Sequence, residues 1–136
     1  MKFGKVLAYL LQGALPGWRD KFLRYKLLKQ LLKSILPPHP GTPNPSGEDG
    51  EVAPLLLALK VCFVRILNDE VHKFNDFYID MEEDFVIRLQ ELKARIEEVR
   101  AQRYESKFSK GMLEIVKALV RIHGEMVLLK NYSSLN

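Results

Sequence analysis

Leu15-Pro-Gly-Trp-Arg-Asp-Lys-Phe-Leu-Arg-Tyr-Lys-Leu-Leu-Lys-Gln-Leu-Leu-Lys33 is the stretch on which the fold turns. Pro16 stands near a helix start, where its missing N–H costs least. From Trp18 no proline or glycine follows until Pro37. Trp18, Phe22, Leu28, Leu31, Leu32 and Ile35 recur at helical spacing and predict a helix with a wide apolar stripe. Arg19, Lys21, Arg24, Lys26, Lys29 and Lys33 fill its other side. Lys26, Lys29 and Lys33 are three and four residues apart and project from one face. Tyr25 precedes Lys29 by four residues, so its hydroxyl can point where that ammonium points.

Like charges at this spacing repel and weaken a helix. Two readings account for them. One is a solvated face. The other is an anion site, in which ammonium groups and a phenol converge on phosphate-like oxygens. Residues 1–33 hold eight lysines and arginines against Asp20 alone, whereas the whole chain carries a formal charge of +4. Such a local excess points to a local anionic partner.

Toward the N-terminus, Phe3 to Ala14 reads as a short helix with Phe3, Val6, Leu7, Leu10 and Leu11 on one side. Together with the next helix it predicts a helical hairpin with Lys2 and Lys5 at its open end. Lys2 and Lys5 before the apolar run Val6–Leu15 also suit a secretory leader. Its cleavage site is poor: a cut after Ala14 puts Gln12 at the minus-three position.

Toward the C-terminus, residues 37–50 are rich in proline and glycine and read as a linker. A long helix is expected to begin between Leu55 and Phe63 and to run to about Arg103. Phe74, Tyr78, Met81, Phe85, Leu89, Leu92, Ile96 and Val99 step by threes and fours along it, a coiled-coil-like seam. The next helix, capped by Ser106 or Ser109, has a stripe of Met112, Ile115, Val116, Leu119, Ile122, Met126 and Leu129. Val52–Leu67 is apolar but carries Pro54, Lys60 and Arg65, and falls short of the ~20 residues that span a bilayer.

No nucleophile–base pair, glycine-rich phosphate loop or zinc spacing occurs. Cys62, the single cysteine, lies between Val61 and Phe63 and reads as a buried thiol. His72 and His123 have no second ligand at metal spacing. Glu82, Glu83 and Asp84 are consecutive and fan around a helix. These features predict a chain that is not an enzyme and needs no cofactor or metal.

Met1-Lys-Phe-Gly-Lys5, Leu15-Pro-x-Trp-Arg-Asp-Lys-Phe22 and Tyr25-Lys-x-Leu-Lys29 together resemble the opening of an SPX domain. Phe63–Tyr78 and Glu82–Leu92 resemble its long helix. His123–Asn136 resembles the following helix of the plant stand-alone SPX proteins. The resemblance implies a phosphate-status sensor whose ligand is an inositol polyphosphate or pyrophosphate. The family's phosphate-binding tyrosine and first lysine fall on Tyr25 and Lys29. Lys2 matches another basic position of that site, and Lys26 and Lys33 the surrounding basic surface. The family continues after Asn136 with a lysine-rich helix that supplies the other half of the anion site, so a C-terminally incomplete domain is expected. The implied partner is a phosphate-starvation MYB coiled-coil transcription factor, engaged in nucleus and cytoplasm.

The expected fold is all-α: an N-terminal helical hairpin packed on a long antiparallel helix pair, a single domain over residues 1–136. Counting from a turn near Tyr104 puts Lys130 roughly opposite Asp80. Phe63, Leu67 and Phe74 then have only the hairpin to cover them, and self-association through that half is expected. Two other functions compete. One is a ligand-independent helical interaction module. The other is a membrane-surface binder using residues 1–33. Direct nucleic-acid binding is not expected, because no aromatic-rich basic groove or recognition-helix motif is present.

Overall fold

The computed structural model describes residues 2–36, 49–102 and 105–135. They form four α-helices: α1 (Phe3–Gly13), α2 (Tyr25–Ile35), α3 (Asp49–Arg100) and α4 (Glu105–Leu135), with a 3-10 turn at Pro16–Lys21 between α1 and α2. The fold is all-α, and no strand occurs among the described residues. The chain divides into two compact units, whose boundary falls inside α3 between Phe74 and Asn75.

In the first unit Leu7, Trp18, Phe22 and Leu28 are buried. The helix expected from Trp18 to Ile35 is interrupted. Pro16 opens the 3-10 turn instead, Phe22 is extended (φ −71°, ψ 158°), and α2 starts only at Tyr25. The hairpin also differs from expectation. Phe3 and Tyr25, the first residues of α1 and α2, meet edge to face with ring centroids 5.1 Å apart. Helix α1 is about 16 Å long at 1.5 Å per residue. The chain between the helices is long enough to return over that distance, so Lys2 lies at the start of α2 rather than at an open end.

Helix α3 begins earlier than its sequence suggests and includes Pro54. Proline removes one intrahelical donor, a modest loss close to the end of a helix of 52 residues. Asp49 and Gly50, assigned to the linker by sequence, belong to it. The rest of that linker, residues 37–48, lies outside the described residues, as does Tyr104. Helix α4 starts at Glu105, so Ser106 and Ser109 lie inside it rather than capping it.

The second unit is an antiparallel pair made by α3 from Asn75 onward and α4. Phe77, Phe85, Leu92 and Val99 of α3 are buried, as are Ile115, Ile122, Leu129 and Tyr132 of α4. Phe85, Leu92 and Val99 are seven residues apart, and so are Ile115, Ile122 and Leu129, which is the spacing of a coiled-coil seam. The ring pair Phe77–Tyr132 (5.0 Å) and the ion pair Arg95–Glu114 (3.5 Å) set the register at two levels. Gly111 permits a close approach: a Cβ there would stand 2.7 Å from Val99 Cγ2.

The stripe and seam read from the sequence are displaced in part. Val116, Leu119 and Met126 are exposed, and the Glu125 side chain is only 22 % exposed. Leu89 is exposed, and Arg88 faces Glu125 in its stead. The guanidinium also reaches Asp84 at 3.2 Å. Its hydrogen bonds to Glu125 and Asp84 outweigh partial burial and raise its pKa further.

Candidate functional site

The site is built on the turn at residues 22–24. A break between helical segments leaves backbone groups that a helix would have paired. Here they are met by α3. Lys73 Nζ donates to the Phe22 carbonyl at 2.9 Å, and the Arg24 N–H donates to Glu70 Oε2 at 3.0 Å. Arg24 Nε donates to Glu70 Oε1 at 2.7 Å, and Lys73 Nζ to Glu70 Oε2 at 2.6 Å. Glu70 is the one buried charged side chain among the described residues, at 1 % exposure. Burial pushes its carboxyl up, but the hydrogen bonds from Lys73 and Arg24 prevail and hold it below the usual carboxylate range.

Tyr25 follows directly. Its half-buried ring lies against Phe3 and against Gly4, where a Cβ would come within 3.0 Å of Tyr25 Cε1. Lys29, one turn on, places its Nζ 5.7 Å from the centroid of the same ring. A cation over an aromatic face is favoured by the ring's electron density. Tyr25 therefore joins the start of α1 to Lys29.

Lys2 is the residue before α1 and is exposed; its carbonyl accepts from the amides of Lys5 (2.9 Å) and Val6 (3.1 Å). Lys26 and Lys33 are exposed on α2. Among the described residues Lys2, Lys26, Lys29 and Lys33 make no ion pair with a carboxylate. No carboxylate offsets their charge, which is the state an anion can exploit. The structure brings Tyr25, Lys29 and the backbone beside Lys2 together. It records no contact for Lys26 or Lys33 with that group.

Residues 1–57 match the model of the SPX domain. Over its full length the chain is 52% identical to SPX domain-containing protein 4 of Arabidopsis thaliana, of which it covers 51%. It is 50% identical to SPX domain-containing protein 4 of Oryza sativa subsp. japonica, covering 45%, and 40% identical to SPX domain-containing protein 2 of Arabidopsis thaliana, covering 48%. The chain is thus similar over its full length to plant SPX domain-containing proteins, and its first 57 residues match the SPX domain itself. It spans about half the length of these relatives. No solved structure matches it.

The SPX match includes all five basic-site candidates, Lys2, Tyr25, Lys26, Lys29 and Lys33, and no enzyme family is indicated. Among the described residues no three His, Cys, Asp or Glu side chains gather as a metal site, and no helix is long and apolar enough to cross a membrane. Cys62, read from the sequence as buried, is exposed. Glu70 and Lys73 lie beyond the SPX match and are not among the site residues read from the sequence. A signal was present: Phe63, Ile66, Glu70 and Phe77 step by threes, fours and sevens along one face, so Glu70 stands in the inward row of α3.

Proposed function

We propose that this chain binds an inositol polyphosphate or pyrophosphate at the start of α1 and α2 and acts in phosphate-status signalling. In this reading Tyr25 and Lys29 hold phosphate oxygens, Lys2 adds a third group from α1, and Lys26 and Lys33 extend the basic surface. The liganded chain engages a MYB coiled-coil transcription factor of the phosphate-starvation response, in nucleus and cytoplasm. The observation that supports it is the Tyr25 ring, set against Phe3 and Gly4 with the Lys29 ammonium 5.7 Å from its centroid.

Titration of inositol hexakisphosphate into the chain tests the site. Each hydrogen bond to a charged group contributes about 1.5–3 kcal/mol, so Lys29→Ala should weaken binding about tenfold or more. Tyr25→Phe removes only the hydroxyl and should cost less. Wild-type affinity in both variants would remove these residues from the site.

The competing reading, a ligand-independent interaction module, draws on a different observation. Leu113, Val116, Val120 and Val127 form an exposed row on α4 at coiled-coil spacing. Partner capture that ignores both the inositol phosphate and Lys29→Ala would favour it.

A further inference from the structure

We propose that Glu70, assisted by Lys73, is the positioning group of this anion site: its buried carboxylate breaks the helix expected over residues 18–35 and sets the pose of Tyr25 and Lys29. The inference rests on the reading of Tyr25 and Lys29 as an anion site and adds the device that shapes it.

The apolar and basic pattern of residues 18–35 suits one uninterrupted helix. The structure departs from it in the 3-10 turn that runs to Lys21 and at Phe22–Arg24, where two backbone groups bind α3. Lys73 takes the Phe22 carbonyl, and Glu70 takes the Arg24 amide. Glu70 and Lys73 are one turn apart on a continuous helix, so their spacing is rigid. Helix α2 begins one residue after Arg24, so Glu70 fixes the backbone at Tyr25 while Phe3 and Gly4 fix its ring. With both anchors in place Lys29 has a fixed root. A preorganised site avoids the ordering cost that a mobile one meets on binding.

The chemistry requires a carboxylate. Three donors converge on it: Arg24 N, Arg24 Nε and Lys73 Nζ. A glutamine there offers one acceptor oxygen and turns an NH2 group toward donors. It keeps the volume of the side chain and loses the clamp. The Lys73 ammonium is committed to Phe22 and Glu70, so its role is to hold the turn.

The test is a binding cycle with inositol hexakisphosphate on the full chain, using Glu70→Gln, Lys29→Ala and the double variant, with helix content followed by circular dichroism. Glu70→Gln should weaken binding about tenfold, and in the Lys29→Ala background it should change little, because residues that act through one another are non-additive. Should Glu70→Gln lose helix content, Lys73→Met carries the same cycle, and Lys73→Arg should restore binding. Wild-type affinity in Glu70→Gln, or a loss that adds in full to that of Lys29→Ala, would overturn the inference alone. Wild-type affinity in Lys29→Ala would overturn the anion site and the inference with it.

Discussion

At the residue scale, the acid response of the first unit follows from Glu70. Its carboxyl is held below the ordinary value of 4.5 because hydrogen bonds from Lys73 and Arg24 outweigh the cost of burial. A lowered folded-state pKa stabilises the fold fully above the unfolded value, and that contribution is lost as pH falls through the folded value. The unit should therefore hold at neutral pH and loosen as pH falls below the ordinary glutamate value of 4.5 toward the lower folded one. Trp18, buried and the only tryptophan, reports this by fluorescence. Glu70→Gln should flatten the acid dependence of that signal, and an unchanged acid profile would contradict it. Gly4 offers a second residue-scale check. A methyl group there would stand 3.0 Å from Tyr25 Cε1, so Gly4→Ala should shift the ring and weaken inositol hexakisphosphate binding while α1 itself gains helix propensity.

At the element scale, the α3–α4 pair makes opposite predictions for two glycines of one helix. A Cβ at Gly111 would stand 2.7 Å and 3.2 Å from the two Val99 methyl carbons, whereas nothing lies within 4 Å of one at Gly124. Gly124→Ala should stabilise by about 0.5–1 kcal/mol, the glycine penalty in a helix. Gly111→Ala should destabilise, because overpacking costs about 1–3 kcal/mol and exceeds that gain. Thermal unfolding of the two variants checks the difference in sign. The Arg88–Glu125 pair is mostly shielded on both sides, and Glu125→Ala should cost about 1–3 kcal/mol. The helices themselves were legible from spacing, since Phe85, Leu92, Ile96 and Val99 and the partners Ile115, Ile122 and Leu129 recur as a seam must. What spacing could not reveal is which of two neighbours turns inward. Arg88 displaced Leu89 because Glu125 stands opposite it, and that partner is 37 residues away in sequence. The break at Phe22–Arg24 was illegible for the same reason. Its cause is a carboxylate 46 residues along the chain.

At the scale of the whole molecule, the all-α fold follows from long apolar periodicities free of strand alternation, and the basic stretch over residues 1–33 was plain from charge alone. The meeting of Tyr25, Lys29 and the start of α1 could be anticipated from the motifs but not its geometry, because the return of the chain through the 3-10 turn leaves no periodic signature. Leu57, Val61, Val64 and Val71 form an exposed row on α3, Leu67 beside them is 39 % exposed, and Phe63 and Phe74 are partly covered. Contiguous apolar surface of this kind promotes association, so sedimentation velocity should show mass rising with concentration. A monodisperse monomer at high concentration would contradict it. The central claim, that Tyr25 and Lys29 bind a polyphosphate, is tested most directly by calorimetric titration of inositol hexakisphosphate at two salt concentrations into the wild-type chain and Lys29→Ala. The account predicts binding that weakens steeply with salt and falls about tenfold or more in the variant. Equal affinity of wild type and Lys29→Ala at both salts would contradict it.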